Sequence, residues 1–131
     1  CIMAFWNAPI EDPDHEQHAV QAAIDMQKEL LKLNQQLAAE GLPTIAIGIG
    51  INTGEALVGN MGSDQRFDYS VIGDAVNVAA RLESSSKTLG KTVIVGDKTY
   101  NAAKYDYNFD YIDSIMVKGK TESVKVYSIN Y

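Results

Sequence analysis

The chain has 131 residues, with 11 basic against 17 acidic side chains, a net charge of −6 and 46% hydrophobic residues. That is one globular domain, long enough for a single core and too short for two. The acidic balance excludes a general nucleic-acid binder, the single cysteine excludes a disulfide framework, and no apolar run approaches the ~20 residues that span a bilayer.

The opening run Cys1-Ile2-Met3-Ala4-Phe5-Trp6 is wholly apolar and reads as a buried strand. With no polar lead-in, it is expected to lie inside a larger domain. Asn7 to Asp14 carries two prolines and clustered acids, which makes a loop, and Asp14 can cap a helix beginning at His15. The spacing predicts that helix over His15–Glu40, with Val20, Ala23, Ile24, Leu30, Leu31, Leu33 and Leu37 as its core stripe. Gly41 ends it and Pro43 forbids its return.

Thr44 to Asn52 alternates, with Ile45, Ile47, Ile49 and Ile51 on one face and Ala46, Gly48 and Gly50 on the other. That is a strand with one nearly bare face. Thr53-Gly54-Glu55 reads as a tight turn into a second strand, Ala56–Met61, giving a hairpin. Gly62–Arg66 is a polar loop, and Phe67–Ile72 is short and apolar. A second helix is expected from Gly73-Asp74 to about Ser85, capped by Asp74. A strand at Lys91–Val95, a short helix at Asp97–Lys104, and strands at Tyr107–Val117 and Ser123–Asn130 complete the chain. The order predicts an α+β sandwich with helices packed on one sheet face.

The most informative segment is Val71 to Arg81. Asn77 and Arg81 are four apart and so share a helix face, while Ala75, Val76, Val78, Ala79 and Ala80 around them are small or apolar. A guanidinium grips phosphate oxygens in a fork, and an adjacent carboxamide can orient a sugar oxygen. Lys118 and Lys120 flank Gly119 in a turn that can reach a phosphate chain. His15 and His18 have no third ligand near them and read as solvated helix residues. The series Gly48, Gly50, Gly54 and Gly59 lacks the Gly-Lys-Ser/Thr of a P-loop and reads as close-packing glycines.

Four strings together resemble the catalytic domain of class III nucleotidyl cyclases. They are Ile2-Met3-Ala4-Phe5, the run from Ile47 to Gly54, the run from Phe67 to Glu83, and Val117-Lys118-Gly119-Lys120. They stand in the family's order and spacing and cover essentially the whole chain. The resemblance implies a ferredoxin-like βαββαβ-type sandwich, of which residues 1–131 would be the C-terminal two-thirds, lacking the first strand-helix-strand portion. It implies a dimer with catalytic sites at the interface and attack of a ribose 3′-hydroxyl on the α-phosphorus, with pyrophosphate leaving.

In that family Asn77 would orient the ribose, Arg81 would stabilise charge on the α-phosphate, and Lys118 would hold the terminal phosphates. Ser70 would accept from the adenine amine, with Val71 and Ile72 beside it at the base, which favours ATP over GTP. Two Mg²⁺ or Mn²⁺ ions belong to the family's site, but their aspartates would precede Cys1. The resemblance therefore implies an adenylate cyclase whose 131-residue portion is inactive alone, and no metal site within it. The partners expected are ATP and a second copy, in a non-native or swapped dimer for this shortened chain, with no nucleic acid. The site would be cytoplasmic, in a parent tethered to membrane or sensor domains. The competing readings are a guanylate cyclase, a non-catalytic cyclase-homology domain for dimerisation or regulation, and a ferredoxin-like RNA-binding module. The last would need aromatics and lysines on adjacent strands, which Ile45–Ile51 lacks.

Overall fold

A computed structural model describes residues 1–63, 66–116 and 123–131, with residues 61–63 and 66–68 described by backbone alone. The elements run α1 (His15–Ala39), β1 (Ile49–Ile51), β2 (Leu57–Ser63), β3 (Arg66–Ile72), α2 (Asp74–Leu89), β4 (Val93–Gly96), α3 (Asp97–Ala103), β5 (Asn108–Met116) and β6 (Ser123–Asn130). Four strands form one sheet in the order β1-β4-β6-β5, and β2 and β3 form a separate antiparallel pair. β1 and β4 are parallel, with Ile49 opposite Val93 and Ile51 opposite Val95. α2 is the crossover between them, and the β2–β3 pair is inserted into that crossover. The result is the expected α+β sandwich.

The helices cover both sheet faces rather than the one expected. Strand alternation on β4 divides the core. Val93 and Val95 pack with Val20, Ala23 and Ile24 of α1, Ala103 of α3, and Tyr127 and Ile129 of β6. Ile94 faces the other way and packs with Val78 and Leu82 of α2 and Val126 of β6. β4 is therefore buried on both sides, which explains its unbroken Val-Ile-Val run. Burying Leu82 and Ile94 fully contributes about 1.5–3 kcal/mol each.

The Cys1–Trp6 run forms no strand; Ile2 and Met3 are exposed, and Phe5 has a ring partner in Tyr69, at 5.8 Å. An extended run needs a neighbour's backbone groups, and among the described residues no strand pairs with it. In α1 only the first half of the stripe is buried, and Leu31 and Leu33 are exposed. Asp14 holds the cap position without a side-chain cap bond. Its amide instead donates to Asp12 Oδ1 at 3.0 Å.

The Thr44–Asn52 strand shrinks to Ile49–Ile51. α1 supplies the reason. Asn34 bonds both backbone groups of Ile45, donating to its carbonyl at 2.7 Å and accepting from its amide at 2.8 Å, and Gln27 donates to the Ile47 carbonyl at 3.2 Å. Two helix carboxamides thus satisfy what a strand neighbour would. The β1–β2 hairpin does not form either. β1 gives its edge to β4, and β2 pairs with β3 from Leu57↔Ile72 to Ser63↔Arg66. The expected Gly62–Arg66 loop is consequently consumed by the strands, apart from positions 64 and 65, outside the described residues.

The bare face of β1 has the expected use. A Cβ on Gly50 would lie 2.9 Å from the Leu82 carbonyl carbon, and one on Gly48 would lie 3.1 Å from Ser86 Cβ. α2 therefore packs backbone to backbone on β1. That helix runs four residues past Ser85, to Leu89. Ser84 and Ser85 donate to the Arg81 carbonyl at 3.0 and 2.7 Å, and Ser86 donates to the Glu83 carbonyl at 2.8 Å. The hydroxyls that favour breaking a helix are absorbed inside it. Gly90, in the left-handed region at φ 68°, closes it.

On the opposite side, Tyr100 of α3 stacks on Tyr127 with ring centroids 3.8 Å apart, and the Tyr127 hydroxyl donates to Asp97 Oδ1 at 3.1 Å. Burial first, then that bond and the Asp97 charge, push the Tyr127 phenol up to about 12.

Candidate functional site

The candidate residues sit around the start of α2. β3 delivers the chain to Gly73, whose φ of 145° and ψ of 173° are open only to glycine. Gly73, not Asp74, is the cap residue, and it brings no capping side chain. The Gly73 carbonyl accepts from the amides of Val76 at 3.1 Å and Asn77 at 3.3 Å, which starts the helix. Asp74 is its first residue, where a carboxylate complements the helix dipole.

From that start Val78 and Leu82 turn into the core, at 2% and 0% exposure, while Asn77 and Arg81 are both exposed. The carboxamide and the guanidinium therefore stand one turn apart on the solvent side of a helix fixed by its buried side. That is the shared face expected from their spacing. The arrangement offers a neutral amide, able both to donate and to accept, beside a forked cation.

Ser70 stands opposite Gly59 in the β2–β3 ladder, Val71 opposite Val58, and Ile72 opposite Leu57. Strand alternation puts Ser70 and half-exposed Ile72 on one face and buried Val71 on the other. The base-side residues expected from the sequence are thus split between two faces. Lys118 lies outside the described residues.

Among the described residues, no group of three or more His, Cys, Asp or Glu side chains could hold a metal ion. His18 is an exposed residue of α1, as expected, and its Nδ1 also lies 2.5 Å from Asp12 Oδ2, joining the 7–14 loop to α1. The hydrogen bond with Asp12 raises the His18 pKa above 6.5, and the same bond lowers that of Asp12 below 3.8. The His18 contribution is complete below pH 6.5 and lost as pH rises through its raised folded value. The Asp12 contribution is complete above pH 3.8 and lost as pH falls through its lowered one. NMR titration of the His18 ring is expected to give a midpoint above 6.5 that Asp12→Asn lowers. An equal midpoint in both proteins would remove the pair.

Asn52 and Thr53 lie in the run from Ile47 to Gly54 that carries part of the family resemblance, but no role was assigned to either. Asn52 Nδ2 donates to the Ala75 carbonyl at 3.0 Å, and the Thr53 and Thr99 hydroxyls meet at 2.8 Å. They fasten the exit of β1 to the first turns of α2 and α3. The only local signal was an Asn-Thr-Gly at a strand end, which reads equally well as a turn.

A family model described as the adenylate and guanylate cyclase catalytic domain matches residues 2–131. Adenylate cyclase 1 of Rhizobium meliloti is 34% identical over 128 residues, covering 98% of this chain and 19% of that protein. The solved structure of the adenylyl cyclase CyaB from P. aeruginosa superposes with a TM-score of 0.87 at 34% identity, over 97% of this chain and 65% of that one. The solved guanylyl cyclase Cya2 gives 0.82 at 33%, over 93% and 61%. The chain thus spans about a fifth of that curated relative and under two thirds of each of these solved chains.

Proposed function

The chain belongs to the adenylate and guanylate cyclase catalytic-domain family, and from that premise we propose that it forms the ribose- and phosphate-handling part of an adenylate cyclase, converting ATP to 3′,5′-cyclic AMP and pyrophosphate. The observation that carries this is the exposed Asn77–Arg81 pair, one turn apart on a helix whose opposite face is locked into the core. In the reaction the ribose 3′-oxygen bonds to the α-phosphorus as the bond to the bridging oxygen breaks. Pyrophosphate takes that electron pair, and the hydroxyl proton passes to water. Asn77 holds the ribose so that its 3′-oxygen lines up with the phosphorus. Arg81 faces the α-phosphate oxygens, where negative charge grows, and a guanidinium fixed there beforehand lowers the barrier. Lys118 takes the terminal phosphates.

Ser70 supports adenine, because its hydroxyl can accept from an exocyclic amine. The likeness to an adenylate cyclase over nearly the whole chain points the same way. The likeness to the guanylyl cyclase Cya2 favours GTP as the second reading. We place the ligands of two Mg²⁺ or Mn²⁺ ions outside these 131 residues, where the family resemblance puts them. We also propose that the working unit is a homodimer acting in the cytoplasm, where ATP is held. No helix among the described residues is long and apolar enough to cross a membrane.

The test compares two proteins. Residues 1–131 with ATP and Mg²⁺ or Mn²⁺ are expected to make no cyclic AMP. A form extended upstream by about 70 residues, the size of one strand-helix-strand unit with its connections, is expected to make cyclic AMP and to prefer ATP over GTP. Preference for GTP would transfer the assignment to guanylate cyclase. An extended form that makes neither product would favour a non-catalytic dimerisation or regulatory domain.

A further inference from the structure

The helix that carries Asn77 and Arg81 begins at Gly73, which brings no capping side chain to its first turn. We infer that Asn52, at the exit of β1, is a positioning residue for that turn. Its Nδ2 donates to the Ala75 carbonyl at 3.0 Å. That carbonyl belongs to the helix ladder, and Asn52 occupies its second lone pair. The other end of the carboxamide is confined as well: a Cβ on Gly96 would come within 2.5 Å of Asn52 Oδ1. The amide is thus wedged between the last residue of β4 and the first turn of α2. Gly54 adds a second restraint, since a Cβ there would lie 2.8 Å from Ala75 Cβ. One hydrogen bond and two close approaches therefore set where α2 begins relative to β1 and β4.

Ala75 is two residues before Asn77 and six before Arg81. A first turn that slides on the sheet carries both with it. The catalytic consequence rests on the cyclase reading; the anchoring does not. Asn52 touches neither nucleotide nor phosphate. It acts through the helix, and its loss alters the geometry of the reacting groups more than the affinity for substrate.

The experiment uses two substitutions. Asn52→Asp keeps the size but replaces the donor with an oxygen that faces the Ala75 carbonyl. Gly96→Ala leaves Asn52 in place and pushes its carboxamide. In the full 131-residue chain, amide hydrogen exchange at residues 76–79 is expected to quicken about tenfold in each, with β4, β6 and the second half of α2 unchanged. In the upstream-extended form, kcat is expected to fall about tenfold with KM held within about twofold, the signature of misplaced reacting groups. If one variant fails to fold, the other carries the test. Unchanged exchange at 76–79, uniform acceleration along the whole chain, or quickened exchange with kcat unaltered would each overturn the assignment. If the extended wild-type form makes no cyclic nucleotide, the cyclase reading fails by itself, and the exchange measurement still decides whether Asn52 anchors the turn.

Discussion

Replacing Arg81 with alanine in the upstream-extended form is expected to lower kcat by about 10²–10³-fold, the size found when one preorganised donor is removed from developing charge. The fold should not notice. The side chain is exposed, and the Arg81 atom that holds structure together is its carbonyl, which accepts from Ser84 and Ser85 and remains in the variant. Stability should therefore stay within about 0.5 kcal/mol of the parent, as for ordinary surface changes. Arg81→Lys should recover only part of the rate, because an ammonium keeps the charge and loses the fork. The measurement is kcat from cyclic AMP formation beside a denaturant melt. An Arg81→Ala protein that turns over within about threefold of the parent would take the guanidinium out of the mechanism, that loss being well under the range expected for such a donor.

Gly50→Ala is expected to cost about 3 kcal/mol of stability, the upper end of what overpacking causes. The new methyl would lie 2.9 Å from the Leu82 carbonyl carbon, and closer still to the Glu83 amide nitrogen and the Ala79 carbonyl oxygen. Those are backbone atoms of a helix whose other contacts hold it down, so no rotamer change relieves the clash. α2 must lift from β1, and the Val78 and Leu82 contacts with Ile94 and Val126 loosen with it. A loss of that size is a large share of the ~5–15 kcal/mol of a whole domain. Gly59→Ala is the control: a Cβ there meets nothing within 4 Å, and its melt should match the parent. A urea midpoint for Gly50→Ala equal to that of Gly59→Ala would mean that α2 does not sit on β1 as described.

Both features are legible in the amino-acid sequence. The alternation that left Gly48 and Gly50 without side chains already marked a face built for close approach, and α2 fills it. The four-residue spacing of Asn77 and Arg81 put them on one face, and both are exposed there. α1 begins at the expected residue, α3 ends within one residue of its expected end, and β6 matches throughout. These are local properties. Helical and strand periodicity, a glycine stop and a proline block act within a turn or two of the chain, so a short window contains them.

The judgements that failed each depended on a distant partner. Ile45 and Ile47 alternate like a strand, yet Asn34 and Gln27, more than ten residues earlier in the chain, bind their backbone groups instead. Cys1–Trp6 is apolar enough for a strand but has no described edge to join. Leu31 and Leu33 continue the apolar run of the helix but are exposed. The candidate site shows the same division: residue chemistry and the family resemblance singled out Asn77, Arg81 and Ser70, while Asn52 was invisible because its meaning lies in the Ala75 carbonyl.

The amino-acid order alone settled which segments are helical or extended over most of the chain, which faces are apolar, and that an amide and a guanidinium share one face. Only the folded chain decided that β2 joins β3 while β4 takes β1, that α1 and α2 lie on opposite sides of the sheet, and that a carboxamide at the exit of β1 fixes the start of α2. The physical reason is competition. Each backbone edge can serve one neighbour, several segments are chemically able to be that neighbour, and the winner is set by the summed packing of elements far apart in sequence.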